Sequence, residues 1–266
     1  MAKLFYAGES NVGYQRSVNE DFLYVKELDG ITLAIVADGA GSTGSTFQPA
    51  SIAALEVANV VKRLNRDNHE AFIENAEMFL AEAFRTAGRV LGAFQTANEE
   101  LYNGYASSMA CCIVCGSELI FAHTGNTRIN LLRKNKKTGM THITLLTKDQ
   151  TEGQTMMDRG EISFEEYHIR PERLKITGGL GVIAVPVIQT FRMPLRENDF
   201  ILMTTDGIHC AVRPDAFLEL LRRCNTPQEG VQALIAAAKE LEYADNMTAF
   251  LMWYAQEPSD ETEKGG

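Results

Sequence analysis

Positive charge is scarce in this sequence, as are cysteine and long apolar runs. Lys and Arg number 25 against 35 Asp and Glu, which gives a formal net charge of -10, and such a surface repels nucleic acid and anionic membranes. The five cysteines, an odd number, suit a reducing compartment better than a disulfide framework. No apolar stretch approaches the roughly 18 residues of a membrane span. We therefore expect a cytoplasmic protein with neither nucleic acid nor a membrane among its partners.

The chain contains neither an internal repeat nor a convincing linker, and its 266 residues suffice for a substantial core. The beginning, MAKLFYAGES, lacks the apolar segment of a signal peptide, so we expect no secretory leader. Residues 257–266, EPSDETEKGG, are polar and show no periodicity, which predicts a disordered tail. We therefore expect one domain over residues 1–256.

The hydrophobic pattern predicts strands separated by pairs of helices. Apolar runs predict strands, and spacings of three and four predict helices: strands at 31–37, 108–115, 118–124, 128–133, 141–147, 199–205 and 247–254, and helices at 48–64, 70–102, 214–224 and 227–242. We expect the second helix to break near Gly88 or Gly92, because glycine is costly inside a helix. Residues 148–180 are expected to be irregular, with one short helix at 163–167. Without regular strand–helix alternation, the pattern favours α+β layers over a doubly wound parallel sheet.

The segment VADGAGSTGS, residues 36–45, allows two interpretations. Its glycines spell G-x-G-x-x-G, the spacing of a dinucleotide-binding loop, but Asp38 stands directly before the first of them. A carboxylate there would repel the pyrophosphate that such a loop binds at a helix N-terminus. The spacing is also weak evidence in a chain with 21 glycines. We therefore favour a turn that holds a metal ion.

Three other acids occupy places like that of Asp38. Asp206 follows an apolar strand, and Asp21 and Asp245 directly precede apolar segments. A carboxylate at the end of a buried strand must be paired, hydrogen-bonded or bound to a metal. Any one of them could be an ordinary turn or capping residue, but together they indicate a cation site.

With these acids placed, the order of motifs resembles that of the metal-dependent protein serine/threonine phosphatases of type 2C, in their compact bacterial form. The resemblance covers nearly the whole chain. Six family motifs appear in order: R-x-x-N-E-D at 16–21, D-G-x-G-G at 38–42, G-D-S-R at 125–128, L-T-x-D-H-S at 146–151, S-D-G-L at 205–208 and D-N-x-T at 245–248.

This resemblance implies an αββα sandwich of two mostly antiparallel β-sheets flanked by helix pairs, with a flap at about 148–180 beside the active site. It implies hydrolysis of phosphoserine and phosphothreonine in proteins by a water that bridges two divalent ions, Mn²⁺ or Mg²⁺. The implied site residues are Asp38, bridging both ions; the carbonyl of Gly39; Asp206 and Asp245, binding directly; Asp21 and Glu20, acting through water; and Arg16, binding phosphate.

The sequence departs from the family motifs at Asn126, Gln150 and Gly178. Relatives are reported to hold a third ion with the aspartate of G-D-S-R, so Asn126 implies a third ion that is weak or absent. The departures also leave open an alternative, a pseudophosphatase that binds or senses phosphoproteins. As an enzyme, the chain is expected to be a monomer that acts on substrates of a cognate Ser/Thr kinase.

Other candidate sites have ordinary interpretations. Cys111, Cys112 and Cys115 lie in an apolar strand, whose two faces would scatter zinc ligands, so we expect buried hydrophobic residues. His123 is a candidate general acid, although a hydrogen-bonded histidine at a strand end is the simpler expectation. The basic segment RKNKKTG, residues 133–139, is expected to be a solvated hairpin tip.

Overall fold

The computed structural model describes residues 2–41, 48–97, 104–183, 185–242 and 244–256. The predicted tail at 257–266 and the end of the predicted helix 70–102 lie outside these residues. No helix of the described ranges combines the length and the apolar character needed to cross a bilayer.

Two five-stranded antiparallel sheets form the centre of the protein. The first has the order β1-β10-β9-β6-β7 and the second the order β2-β3-β4-β5-β8. The strands are β1 Ala2–Asn11, β2 Phe22–Leu28, β3 Ile31–Ala40, β4 Ala106–Cys115, β5 Glu118–Thr124, β6 Arg128–Lys134, β7 Thr141–Leu145, β8 Gln189–Pro194, β9 Asp199–Thr204 and β10 Met247–Gln256.

The sheets stack face to face, and helices cover both outer faces. The helices are α1 Pro49–Asp67, α2 His69–Glu74, α3 Ala76–Ala97, α4 Glu152–Asp158, α5 Phe164–Ile169, α6 Asp206–His209, α7 Pro214–Leu221 and α8 Pro227–Glu240, with a 3-10 turn at Pro171–Leu174. One hydrophobic cluster joins the two sheets, a second lies under α1 and α3, and a third under α7 and α8. The predicted four-layer α+β sandwich is therefore confirmed.

Strand β3 shows why the sequence lacks an alternating pattern here. Leu33 and Ile35 pack into the cluster beneath the helices, whereas Ala34 and Val36 pack into the cluster between the sheets. A strand buried on both faces reads as a continuous apolar run. Because β3 pairs with β4 in antiparallel register, the βαβ unit of a dinucleotide-binding fold is absent from this part of the chain.

The predicted helix break near Gly88 or Gly92 is wrong. Helix α3 continues through both glycines, and the interruption falls at Asn75, whose side chain and backbone N–H both donate to the carbonyl of Ala71. The buried face of α3, with Phe84 and Leu91, offsets a glycine cost of about 1 kcal/mol per residue.

Sequence patterns missed β1, β2, β8 and part of the flap. Strands β1, β2 and β8 are edge strands of the two sheets, and β2 and β8 are mostly half-buried, so their apolar signal is weak. The flap is more regular than expected, since it contains α4 and the 3-10 turn as well as the predicted short helix, α5. A capping box between Ser163 and Glu166 begins α5.

Candidate active site

The strand ends that carry the predicted acids meet at one end of the sandwich. Asp38 lies near the end of β3, Asp206 begins α6 just after β9, and Asp21 and Asp245 precede β2 and β10. The charge of Asp38 interacts with those of Asp206, Asp21, Asp245 and Glu20. The structure therefore brings the predicted carboxylates into one cluster, which we call the acidic cleft.

The acidic cleft holds more negative charge than its surroundings neutralise. Burial, followed by repulsion from the neighbouring carboxylates, raises the pKa of Asp38 well above its usual range. Burial likewise raises the pKa values of Asp21 and Asp206. Carboxylate and carbonyl oxygens suit hard divalent ions such as Mg²⁺ and Mn²⁺, so the donor set fits the predicted metals. Among the described residues, however, no three acidic, histidine or cysteine side chains already converge as a formed metal site.

Two threonines hold one side of the Asp21 carboxylate. The hydroxyls of Thr205 and Thr248 donate to Asp21 Oδ2 at 2.8 and 2.7 Å. These two bonds fix the orientation of the Asp21 carboxylate. Thr205 and Thr248 stand in the S-D-G-L and D-N-x-T motifs, which could have suggested that they lie close together but not what they bind.

Arg16 is paired with Asp245. Its Nε lies 3.0 Å from Asp245 Oδ1 and its Nη2 3.2 Å from Oδ2, with both side chains partly exposed. The predicted phosphate-binding guanidinium and a predicted metal ligand thus form an ion pair with each other. Sequence order gave no indication of this pair, because its members are far apart in the chain.

Asn246 fixes the loop that carries Arg16 and Glu20. Its Oδ1 accepts from the backbone N–H of Glu20 at 2.9 Å, and its Nδ2 donates to the carbonyls of Val12 and Val18. The side chain is 4% exposed, so these bonds are made away from water. Asn246 is a functional candidate that the residue-by-residue analysis of the sequence did not single out.

Glycine is required at position 39 by close approach of the backbone. A Cβ on Gly39 would stand 2.7 Å from the carbonyl oxygen of Glu20 and 3.2 Å from atoms of Ala50. The glycine therefore allows the loop before β2 to lie against the end of β3. Gly44, the last glycine of the G-x-G-x-x-G spacing, lies outside the described residues.

Asn126 joins Asp206 to β4 through a neutral bridge. Its Oδ1 accepts from the Ser108 hydroxyl at 2.7 Å, and its Nδ2 donates to Asp206 Oδ2 at 3.0 Å. All three residues are buried. An amide in this place orients Asp206 without adding charge to the cleft.

Gln150 and Gly178, two of the departures from the family motifs, fit each other. The side-chain oxygen Oε1 of Gln150 accepts from Thr124 Oγ1 and from the backbone N–H of Gly125, each at 3.0 Å. Its side-chain nitrogen Nε2 donates to the backbone carbonyl of Val187. A Cβ at Gly178 would collide with Gln150 Oε1. The glycine thus leaves room for a glutamine that ties the start of the flap to the turn before Asn126 and to Val187, beyond the end of the flap.

A buried ion pair fixes the flap to the first sheet. Arg128 donates to both oxygens of Asp149, at 3.0 and 2.6 Å, and the Tyr167 hydroxyl from α5 donates to Asp149 Oδ2 at 2.6 Å. Burial opposes the charge of Asp149, but Arg128 prevails and lowers its pKa to about 2. Asp149 is therefore fully engaged and is not free to act in the acidic cleft.

The remaining candidates are the cysteines of β4 and His123. Cys111 is buried in the cluster under α1 and α3, and Cys112 in the cluster between the sheets, so the interpretation as buried hydrophobic residues is confirmed for these two. Cys115 packs against the cluster under α1 and α3 but is only partly buried. Both ring nitrogens of His123 are buried without a hydrogen-bond partner in the part of the chain that the structure describes, so the expected hydrogen bond is absent. Burial lowers the pKa of His123 to about 4, which opposes a role as proton donor near neutral pH.

Comparison with known proteins adds an independent finding. Residues 8–251 match the sequence model of the protein phosphatase 2C family. The serine/threonine protein phosphatase PstP of Mycobacterium tuberculosis is 29% identical over 245 residues, which cover 92% of this chain but only 44% of PstP. The serine/threonine phosphatase stp of Listeria monocytogenes is 27% identical over 258 residues, or 95% of each chain.

Solved structures agree in fold. The crystal structure of PstP superimposes with a TM-score of 0.80 and 26% identity, over 95% of this chain and 99% of that one. The PstP catalytic domain in complex with two manganese ions gives a TM-score of 0.76 and 25% identity, over 96% and 100% of the two chains.

Proposed function

Because this chain belongs to the protein phosphatase 2C family, we propose that it is a metal-dependent phosphatase that hydrolyses phosphoserine and phosphothreonine in proteins. The observation that carries this proposal is the acidic cleft, in which burial and mutual repulsion raise the pKa of Asp38 well above its usual range. Such a cluster of oxygens is stabilised by divalent cations. Its relative PstP is described both as a serine/threonine phosphatase and as a protein that binds two manganese ions.

Each residue of the cleft has a proposed task. Asp38, Asp206, Asp245 and the Gly39 carbonyl would hold the two ions, Mn²⁺ or Mg²⁺, with Asp21 and Glu20 acting through water. When bound, the ions would supply the Lewis acidity that activates a bridging water and offsets charge on the phosphoryl group. Thr205 and Thr248 orient Asp21, and Asn246 places the loop of Arg16. The guanidinium of Arg16, whose planar fork suits phosphate, would leave Asp245 to orient the phosphoryl group.

The pseudophosphatase alternative gains no support from these observations. Its motivation was the departures at Asn126, Gln150 and Gly178, and each of these residues makes a specific fit in the structure. We further propose that the substrates are phosphoproteins made by a cognate Ser/Thr kinase in the cytoplasm, and that the enzyme acts as a monomer.

Hydrolysis assays test the proposal directly. The protein is given an aryl phosphate and a phosphothreonine peptide with Mn²⁺, with Mg²⁺ and with chelator. We expect release of phosphate from both substrates with either ion and none with chelator. Turnover that persists in chelator would contradict the two-ion mechanism, and no turnover with any divalent ion would contradict phosphatase activity itself.

Replacing Arg16 with alanine should affect substrate more than metal. Loss of the guanidinium removes a phosphate ligand but also frees Asp245 from its ion pair, so Mn²⁺ affinity should be unchanged or slightly higher. We expect kcat/KM for the phosphothreonine peptide to fall roughly a hundredfold, since a charged hydrogen bond is worth about 1.5–3 kcal/mol. Steady-state kinetics and Mn²⁺ calorimetry measure the two effects. A collapse of Mn²⁺ affinity with unchanged KM would contradict a phosphate-binding role.

A third ion is proposed to be weak or absent, because Asn126 brings no charge to Asp206. Asn126→Asp would place two carboxylates about 3 Å apart, where they repel unless a cation joins them. We expect the variant to show an additional weak Mn²⁺ binding event by calorimetry and a lower melting temperature in chelator. Three ions of comparable affinity in the parent protein would refute this interpretation of Asn126.

A further inference from the structure

The strongest unexplained feature is a group of basic side chains at the end of the sandwich opposite the acidic cleft. It comprises Lys134, Lys136, Lys137, His142 and Arg196, which we call the basic patch. The first four lie in or beside the β6–β7 hairpin, and Arg196 lies in the turn between β8 and β9. They line two adjoining cavities of about 550 and 460 Å³. The basic segment predicted to be a solvated hairpin tip thus forms the wall of a concave surface.

The scaffold of the basic patch is internally fixed. The buried carboxylate of Asp199 accepts from Arg133 Nε at 2.8 Å and Nη2 at 2.6 Å, and also from the backbone N–H of Arg196 at 2.6 Å. Asp199 therefore joins the hairpin to the β8–β9 turn. The carboxylate of Asp199 neutralises Arg133 and, in the residues that the structure describes, forms no ion pair with the lysines of the basic patch.

The cations of the basic patch have little compensating charge. Within the described ranges, no ion pair involves Lys134, Lys136, Lys137 or Arg196, and the one unpaired acid that lines the cavities is Glu197. This uncompensated positive surface occurs in a chain of net charge -10. Clustered like charges repel one another, and an anionic partner would relieve that repulsion.

The position of the basic patch relates it to the acidic cleft. Strand β6 runs from Arg128, beside the turn of Asn126, to Lys134, a distance of about 20 Å at 3.3 Å per residue. Strand β7 is the edge of its sheet and leads from the basic patch back to the flap at Asp149. His142 and Thr144 are exposed on this strand. An extended peptide of about six residues spans the same distance.

We propose that the basic patch docks an acidic segment of the protein substrate, which runs along the β7 edge and places its phosphorylated residue in the acidic cleft. This inference rests on the proposed phosphatase function and adds a substrate class to it. A protein segment fits better than an anionic membrane, because a narrow segment can enter the concave patch, whereas a broad bilayer would also face the rest of a chain whose net charge is -10.

The test uses matched peptides and matched variants. The phosphothreonine peptides are made in two pairs. Within a pair the peptides differ only in a run of four residues, Glu in one and Gln in the other. The run lies about six residues before the phosphothreonine in one pair and about six residues after it in the other. The variant Lys136→Glu/Lys137→Glu alters the patch. Lys26→Glu/Arg63→Glu makes the same charge change at exposed positions on β2 and α1.

We expect the parent and the control variant to favour the Glu peptide in kcat/KM by roughly fivefold or more, with a preference that declines as salt rises. The patch variant should show a ratio near one. All three proteins should hydrolyse a small aryl phosphate at the same rate, because it cannot reach the patch.

Several results would overturn the inference. Equal rates on both peptides, with aryl phosphate hydrolysed normally, would refute docking and leave the phosphatase function standing. If aryl phosphate is not hydrolysed, the proposed phosphatase function fails. Fluorescence anisotropy of the labelled Glu peptide then tests docking alone. Equal affinity of the parent and the patch variant for this peptide would refute docking. Patch-dependent binding to phosphatidylserine vesicles without peptide preference would assign the surface to a membrane instead.

Discussion

Asp38→Asn should lower kcat by at least a thousandfold, equivalent to about 4 kcal/mol in the activation barrier, while the fold remains intact. Asp38 is the carboxylate on which the charges of Asp206, Asp21, Asp245 and Glu20 all act, so its removal should take most of the divalent-ion affinity with it. Mn²⁺ calorimetry and kinetics on a phosphothreonine peptide measure both losses. Retention of more than about a tenth of kcat, a loss under 1.4 kcal/mol, would show that Asp38 is not the central ligand.

The same variant should be at least as stable as the parent in chelator. Raised pKa values of Asp21, Asp38 and Asp206 mean that the folded protein binds more protons than the unfolded chain above about pH 4, so its free energy of unfolding declines as pH rises. Asp38→Asn should make that decline shallower. Urea unfolding between pH 5 and pH 8 checks this, with Glu240→Gln, exposed at the end of α8, as the control for the change of charge.

Asp149→Asn should destabilise the protein by about 3–5 kcal/mol, because it leaves the buried Arg128 without its counter-charge. Both side chains of the pair are less than 10% exposed. Chemical denaturation in chelator measures the loss. Asp158→Asn breaks the exposed pair with Lys148 and should cost under about 1 kcal/mol. Tyr167→Phe removes a hydroxyl that donates to Asp149 and accepts from Arg128, and should cost about 1–3 kcal/mol.

Acid should reproduce the effect of Asp149→Asn in the parent protein. Because the pKa of Asp149 is lowered to about 2 in the folded state, its contribution is complete above about pH 4 and is lost as pH falls towards 2. The difference in stability between parent and variant should therefore narrow over that interval. If Asp149→Asn lowers the free energy of unfolding by less than about 1 kcal/mol at neutral pH, Arg128 must find another partner in the variant.

The acids of the acidic cleft can be located in the sequence because they interrupt apolar runs. Asp38 and Asp206 end strands that are buried on both faces, and a long apolar run makes such a strand and its last residue easy to recognise. The edge strands β1, β2 and β8 lack such a long apolar run, since a strand with one neighbour buries fewer of its side chains. Their existence follows from pairing with distant strands, which no local pattern encodes.

The contacts of the acidic cleft that the sequence did not predict join residues distant in the chain. The pair of Arg16 with Asp245 and the three bonds of Asn246 depend on β10 lying beside β1. Motif order can place such residues at one end of the fold. It cannot assign which carboxylate oxygen meets which hydroxyl, because that choice depends on side-chain rotamers.

The fit between Gln150 and Gly178 constrains the order in which this flap can change over evolutionary time. A Cβ introduced at position 178 meets both Oε1 and Cβ of Gln150, so residue 150 must move away from its hydrogen bonds to Thr124 and Gly125. A change at position 178 that precedes one at position 150 therefore disturbs the attachment of the flap. The two sites are therefore epistatic, and a chimera that takes its flap from a relative must exchange residues 150 and 178 together.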